Sequence, residues 1–242
     1  MYKSAKLLLF FIVTSAQSAI SQTVSTDSLV YERSIQASQN TLADTLETGL
    51  NLYNGIEHRG YYRGVKGLAY LESEQMTEGS VQYDSVWYKI PMLYDLYTER
   101  LIIMHFDRFY RIALINEKVK EFVLHGRIFR NLPEDTTMKN GLTGICEVLY
   151  EGDSISVFAK KRKLLNERST SQRLEQEFVN KNLYYVLLDD TYFRVNSKGD
   201  LIELMGNSRK RVSTELRRMK IKFRKNKERA IITASKIYDE KI

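Results

Sequence analysis

Residues 145–159 read ICEVLYEGDSISVFA, two apolar runs that flank a short polar turn at 152–153. This pattern predicts a β-hairpin, because Gly and Asp favour tight turns while β-branched and aromatic residues favour strands. Residues 184–195, YYVLLDDTYFRV, repeat the pattern around a turn at 189–190. Two such hairpins predict a fold dominated by antiparallel strands.

The sequence upstream extends this pattern towards the N-terminus. Residues 80–95, SVQYDSVWYKIPMLYD, predict two strands joined by a turn at 84–85. Pro91 cannot donate a hydrogen bond to a central ladder, so we expect the second of these strands to end there or to lie at an edge. The runs LIIMHF, YRIALI, KVKEFVL and RIFR follow at close spacing. Together they predict a meander of antiparallel strands.

Two further segments connect to this β-rich region. Residues 160–176, KKRKLLNERSTSQRLEQ, are polar and charged, and predict a long exposed connection between the two clearest hairpins. Near the N-terminus, Leu42, Leu46 and Leu50 recur at a spacing of four residues. This spacing places them on one face of a predicted helix.

The C-terminal part has helical periodicity. Its pattern predicts one helix at about 207–220, an extended link through Phe223 and a second helix that begins after the N-cap residue Asn226. The predicted fold is therefore mainly β with α additions. We expect an antiparallel β-sandwich or open barrel of about eight to ten strands, with an N-terminal helical segment and two C-terminal amphipathic helices.

The first 21 residues have the pattern of a secretory signal peptide. Two lysines precede the apolar run 7–13, and small residues follow up to Ser21. The run is much shorter than the ~20 residues that cross a bilayer as a helix. We expect cleavage after Ser21, or alternatively after Ser18, so that residues 22–242 form a single β-rich domain with no transmembrane segment after cleavage.

The charge of the chain is unevenly distributed. The full sequence has a formal net charge of +7, whereas residues 206–242 alone hold 13 basic and 4 acidic residues, a net charge of +9. In an exported protein, anionic lipid headgroups or acidic polymers of the envelope are more accessible partners than nucleic acid, which is not expected. A solvated charged face is the simpler alternative. The residues predicted to contact an anionic surface are Arg217, Arg218, Lys222 and Arg224.

No catalytic, cofactor-binding or metal-binding residue is predicted from local motifs. The three histidines are far apart in sequence, Cys146 is the only cysteine, and neither a G-x-S-x-G motif nor a phosphate-binding glycine loop occurs. Cys146 lies in an apolar run and is predicted to be a buried small residue. Asp84 and Asp95 follow tyrosines at predicted strand ends, where they favour turns. Exposed members of the 16 tyrosines, such as Tyr61 or Tyr62, are candidates for contact with a partner.

Several segments together resemble a family of uncharacterised exported bacterial proteins. They are LYNGIEHRGYY, SVQYDSVWYKIPMLYDLYTERLI, KVKEFVLHGRIF, CEVLYEGDSISV, NLYYVLLDDTYFRV and the basic stretch that ends in ASKIYD. In such proteins an LYNG-type segment precedes a β-rich body, and a Lys-rich helical tail closes the chain. His58 departs from this form, in which a tyrosine is expected. The resemblance implies the fold and export, and it assigns no active site.

Together these features predict a non-catalytic exported protein of the cell envelope, periplasmic or envelope-associated, that binds a protein, lipid or polymer partner. Two alternatives remain open. The first is a peripheral membrane-surface protein that is attached through its basic C-terminal helices. The second is a hydrolase whose active site is assembled only in space.

Overall fold

The computed structural model describes residues 29–35, 51–134, 142–169 and 174–240. Within these ranges the fold is mainly antiparallel β with helical additions, which confirms the predicted fold class. Residues 29–35 form the helical segment α1. The predicted signal peptide and the predicted helix with Leu42, Leu46 and Leu50 lie outside the described residues.

All the strands that the described ranges contain belong to one open sheet with the order β1-β5-β4-β3-β2-β6-β7-β8-β9-β10-β11. Each strand pairs antiparallel with its neighbours, and most neighbours are joined by short turns. The eleven strands are β1 (Ile56–Glu57), β2 (Thr77–Tyr83), β3 (Val86–Asp95), β4 (Arg100–Met104), β5 (Arg111–Ala113), β6 (Val119–Leu124), β7 (Arg127–Leu132), β8 (Gly144–Glu151), β9 (Ile155–Ser169), β10 (Leu174–Leu188) and β11 (Thr191–Arg194).

The sheet curls strongly, as expected of an open barrel. β3 and β9 are five positions apart in the sheet order, which is about 24 Å in a flat sheet with strands about 4.8 Å apart. Nevertheless, the backbone N–H of Lys163 in β9 donates to the carbonyl of Leu96, directly after β3, at 2.8 Å. The rings of Tyr94 in β3 and Phe129 in β7 also lie 5.3 Å apart between centroids. The concave face therefore encloses its own aromatic and aliphatic core.

The predicted turns at 84–85, 152–153 and 189–190 are confirmed. The two-residue turns use positive φ at both positions, 47° and 69° at 84–85 and 47° and 54° at 189–190. Such backbone angles match the right-handed twist of a hairpin. Cys146 is 1% exposed, as predicted, and burial raises the pKa of its thiol to about 12. Among the described residues it has no disulfide partner.

Two predictions about β structure are wrong. Residues 160–169 and 174–176 are not an exposed connection, because they extend β9 and β10 into a 15-residue strand pair with continuous register. Two apolar side chains of the extended strand pair, Leu165 in β9 and Phe178 in β10, pack on the core. Pro91 also does not end β3, which continues to Asp95. The ladder with β4 begins only at Met92, so at Pro91 the strand needs no partner on that side.

Three helices follow the sheet: α2 (Lys198–Leu204), α3 (Arg209–Arg218) and α4 (Lys227–Asp239). The two predicted C-terminal helices correspond to α3 and α4, and Asn226 is the N-cap position of α4 as predicted. These helices pack on apolar side chains of β9 and β10, such as Val157 and Val186. No helix in the described part of the chain is long and apolar enough to cross a membrane.

Candidate functional site

The C-terminal helices form a concave basic surface with a volume of about 780 Å³, here called the basic groove. Two segments line it: residues 196–199 at the start of α2, and residues 222–225 with Lys227 at the start of α4. Five of the described lining residues are cationic and none is acidic. The cationic residues are Lys198, Lys222, Arg224, Lys225 and Lys227.

The first loop is held in place by a capping box at the start of α2. The Ser197 hydroxyl accepts a hydrogen bond from the backbone N–H of Asp200 at 3.2 Å, and the Asp200 carboxylate accepts from the backbone N–H groups of Asn196 and Ser197 at 2.8 and 3.1 Å. These hydrogen bonds lower the pKa of Asp200 to about 2, with the Ser197 hydroxyl the largest contributor. The Asp200 carboxylate, which follows the groove residue Gly199, is therefore occupied by backbone and hydroxyl donors.

The second loop begins at a Schellman motif that ends α3. The N–H of Ile221 donates to the carbonyl of Leu216 at 2.9 Å, and the N–H of Lys220 donates to that of Arg217 at 3.0 Å. Lys220 adopts a positive φ of 55°. The carbonyl of Lys222 then accepts from two backbone N–H groups, at 3.0 and 2.9 Å, immediately before α4 begins. The loop thus has a defined backbone that presents its basic side chains.

Lys227 differs from the other groove cations in its surroundings. Its Nζ lies 5.3 Å from the ring centroid of Tyr184 and 5.8 Å from that of Phe223, within the range of cation–π attraction. Burial is the main cause that lowers the pKa of Lys227, and the positive charge of Arg194 adds to it. Phe223 lines the groove beside it. The groove therefore combines five cationic side chains with one aromatic ring, that of Phe223.

The structure brings together only two of the four residues predicted to contact an anionic surface. Lys222 and Arg224 line the basic groove, and both are exposed. Arg217 and Arg218 are also exposed but lie in the last turn of α3. Arg218 forms an ion pair with Glu215, with 2.7 Å between Nη2 and Oε2, whereas no ion pair between described residues involves the other three.

The sequence did not indicate three of the groove residues. Lys225 and Lys227 lie in the basic stretch near the C-terminus. The helical periodicity of that stretch did not distinguish them from cations on the exposed faces of α3 and α4. Lys198 lies outside the stretch, and only the packing of α2 against α3 and α4 brings it to the groove. Met219, at the C-cap position of α3, is 45% exposed because the helix ends there.

The other candidates for chemistry have structural roles. Asp84 lies in the β2–β3 turn and pairs with Lys118 at 2.6 Å. Asp95 is fully buried and accepts hydrogen bonds from the backbone N–H groups of Tyr97 and Thr98 at the β3–β4 turn. Within the described ranges, no group of three or more His, Cys, Asp or Glu side chains could hold a metal ion.

Comparison with known proteins adds no assignment, since no family model, curated protein or solved structure matches the chain. The resemblance to exported bacterial proteins with an LYNG-type segment stays a prediction. The function is therefore inferred from the geometry and charge of the protein surface itself.

Proposed function

We propose that the chain is a non-catalytic exported protein of the cell envelope that holds an anionic partner in its basic groove. One observation carries this proposal: five cationic side chains line the groove and no acidic side chain does so among the described residues. Cations that surround a concave surface reinforce one another's potential and attract a polyanion. The outward-facing groove leaves these charges available to a partner.

An acidic polymer of the envelope fits the groove better than a folded protein does. A flexible polyanion can follow a concave surface and contact several cations in turn, each through a charge-assisted hydrogen bond. Since such contacts are largely electrostatic, binding weakens as salt concentration rises. Lys227 and Phe223 add a less polar contact at one side of the groove.

A binding assay with matched charge variants tests this proposal. The chain from residue 22 onward is titrated with a soluble polyanion that contains no uronate, such as polyglutamate, at low and high salt. We expect the triple variant Lys222→Glu, Arg224→Glu, Lys225→Glu to bind at least about tenfold more weakly, a loss of about 1.4 kcal/mol or more.

The control variant carries the same change in net charge on the sheet: Lys89→Glu, Lys120→Glu and Lys181→Glu, all at exposed strand positions. We expect it to bind nearly as tightly as the unchanged chain. Equal loss in both variants would mean that net charge alone, rather than the groove, attracts the partner. Turnover of an esterase or glycosidase substrate that is lost on a single Ser or carboxylate change would contradict the non-catalytic assignment.

Export is tested by the N-terminus of the native protein. Mass spectrometry of the protein from its own cells should find Gln22, or Ala19 for the alternative cleavage, as the first residue. A mature protein that retains Met1 would contradict export. Fractionation of the same cells then distinguishes a soluble periplasmic protein from one that salt releases from the membrane pellet.

Attachment to a membrane surface is the second candidate, and the exposure of Met219 favours it. Met219 follows Arg217 and Arg218, and its 45% exposure places an apolar group among cations. Such a combination suits the headgroup region of an anionic bilayer, where each basic residue contributes roughly 1 kcal/mol. Conversion of Arg217, Arg218, Lys222 and Arg224 to Glu should then abolish sedimentation with phosphatidylglycerol vesicles. Met219→Ser should weaken vesicle binding but leave polyanion binding unchanged.

A further inference from the structure

A second concave site lies on the other half of the molecule, where the segment 59–70 covers the sheet. It has a volume of about 550 Å³, here called the tyrosine pocket. Backbone hydrogen bonds from Lys66 to Gln176 (2.8 Å) and from Phe178 to Lys66 (2.9 Å) attach this segment to β10. The aromatic and basic side chains that line the pocket are Arg59, Tyr61, Tyr62, Arg63, Tyr70, Arg111 and Phe178.

The wall of the pocket is fixed by a buried carboxylate. The Tyr61 hydroxyl donates to Oδ2 of Asp95, whose Oδ1 accepts from the backbone at 2.8 and 3.2 Å. The Tyr61 ring also packs edge-on against Phe178, with 5.0 Å between centroids. Burial and the hydrogen bond to Asp95 raise the pKa of Tyr61. Asp95 therefore holds Tyr61 in place, and both of its oxygen atoms are already engaged.

A second hydrogen bond lies beside this wall. The Tyr70 hydroxyl lies 2.7 Å from Nε2 of His58. The hydroxyl can donate to Nε2 of a neutral His58, which then carries its own proton on Nδ1. Burial lowers the pKa of His58, in agreement with a neutral ring, and the positive charge of Arg111 adds to this shift. The Tyr70 oxygen is then available as an acceptor.

The charge of the pocket is predominantly positive. Its described lining contains three arginines and one glutamate, Glu74. Arg59 pairs with Glu57 at 3.2 Å, but no ion pair between described residues involves Arg63 or Arg111. Arginine has a planar fork of donors that matches a carboxylate in two parallel hydrogen bonds. Two guanidinium groups are therefore without an anionic partner in a concave site.

An aromatic ring stands exposed at the mouth of the pocket. Tyr62 is 80% exposed, and its ring lies directly over Gly64, where a Cβ atom would come within 2.4 Å of the ring. The absence of a side chain at Gly64 thus allows the ring to lie against the backbone. An exposed, stiff aromatic face beside hydrogen-bonding groups suits stacking on the apolar face of a ring-shaped polar ligand.

We propose that the tyrosine pocket binds a uronate, a sugar unit that carries a carboxylate. Arg63 and Arg111 would hold the carboxylate, Tyr70, held by His58, would hydrogen-bond to a sugar hydroxyl, and Tyr62 would cover the sugar face. A neutral sugar would leave the two guanidinium groups unpaired, and a small acid without a ring would leave Tyr62 unused. The pocket volume is within the range of small-ligand sites. This proposal does not depend on the basic groove.

Calorimetric titration of the chain from residue 22 onward tests the proposal with D-galacturonate, D-galactose and acetate as probes. We expect D-galacturonate to bind at least about tenfold more tightly than either of the other two, because D-galactose lacks the carboxylate and acetate lacks the sugar ring. Trigalacturonate then distinguishes the sources of the ligand. Tighter binding than the monomer identifies the end of a polymer, and equal binding identifies the free sugar.

Two exposed positions supply variants that should fold normally, Arg63→Gln and Tyr62→Ala. We expect each to weaken D-galacturonate binding about tenfold. Arg108→Gln is the matched control, since Arg108 is exposed and lies outside the pocket. The proposal is overturned if D-galacturonate does not bind, if acetate or D-galactose binds equally well, or if Arg108→Gln weakens binding as much as Arg63→Gln does.

Discussion

At the scale of single residues, Gly152 shows how closely the helices approach the sheet. Asp239, at the end of α4, accepts hydrogen bonds from the Tyr150 hydroxyl (2.7 Å) and from the backbone N–H groups of Asp153 and Ser154 (3.0 Å each). The carboxylate reaches these donors because Gly152 has no side chain. A Cβ atom there would lie 1.7 Å from Oδ2 of Asp239.

We therefore expect Gly152→Ala to lower the free energy of unfolding by about 1–3 kcal/mol, the range for overpacking at a fixed contact. Chemical denaturation followed by circular dichroism measures this difference. Gly199→Ala is the matched control, since the nearest atom to its Cβ is Ser197 Oγ at 3.4 Å and its φ is not positive. A similar loss in both variants would show that glycine flexibility, rather than the contact with Asp239, explains the effect.

His58 gives a second prediction at this scale, a dependence of stability on pH. Burial holds its pKa below the ordinary value of 6.5, although the charge of Asp95 opposes this shift. As pH falls below about 6.5, the unfolded chain binds a proton at this position that the folded chain does not bind. The free energy of unfolding should therefore decrease until pH reaches the pKa of the folded state.

Denaturation of the unchanged chain and of His58→Gln at about pH 7.5 and about pH 5 measures this contribution. Glutamine retains hydrogen-bonding groups but does not titrate. We expect the unchanged chain to lose more stability than the variant on acidification. Identical losses would contradict a lowered pKa of His58.

At the scale of elements, the end of α3 contains a residue poorly suited to its backbone. Lys220 occupies the position after the C-cap residue in the left-handed region, with φ of 55°, where glycine is the usual residue. A side chain in this region is unfavourable by roughly 1 kcal/mol. Its side chain is exposed, and no ion pair between described residues involves it.

We expect Lys220→Gly to raise the free energy of unfolding by up to about 1 kcal/mol, offset in part by the greater freedom of glycine in the unfolded chain. Thermal unfolding measures the change. Lys220→Ala removes the same charge but retains a Cβ atom, so it should bring no such gain. If alanine stabilised the protein as much as glycine, charge repulsion in the basic stretch would be the cause.

Some elements of the fold could be predicted from local sequence alone, and others could not. Tight turns such as 84–85 and 189–190 were predictable, because small polar residues between apolar runs determine them locally. The extended halves of β9 and β10 were not, since their many Lys, Arg and Glu residues resemble a polar loop. Contacts with distant segments, such as that of Tyr61 with Phe178, bury the few apolar side chains and make a strand favourable there.

At the scale of the whole molecule, contacts between distant segments create both candidate sites. Lys198 reaches the basic groove only through helix packing, and Arg111 meets Tyr70 and His58 only because β5 pairs with β1. The concentration of positive charge near the C-terminus predicted an anionic contact at Lys222 and Arg224, which are two of the groove residues. The sequence named Tyr61 and Tyr62 as candidate contact residues, but it did not indicate the tyrosine pocket, since the other parts of the pocket are separated from them by long stretches of chain.

A network of buried charges connects the sheet to the C-terminal helices. Glu147 in β8 is 5% exposed, and its carboxylate lies 2.6 Å from Nζ of Lys161, which also lies 3.3 Å from Glu228 in α4. Burial raises the pKa of Glu147, against the opposing effect of Lys161. Separation of the helices would break the Lys161–Glu228 pair and expose the apolar core that the helices share with β9 and β10. The helices and the sheet should therefore unfold together.

The single tryptophan makes this last prediction measurable. Trp87 is 7% exposed and lies in β3, so its fluorescence reports on the curled sheet. The circular dichroism signal at 222 nm instead has a large contribution from α2, α3 and α4. We expect both signals to change at the same denaturant concentration, as in a two-state transition.

Val212→Ala, a cavity-forming change at a fully buried position of α3, should lower the free energy of unfolding measured by both signals equally, by roughly 1–3 kcal/mol. A shift confined to the circular dichroism signal would instead mean that the helices unfold independently, and the basic groove could then open without loss of the sheet.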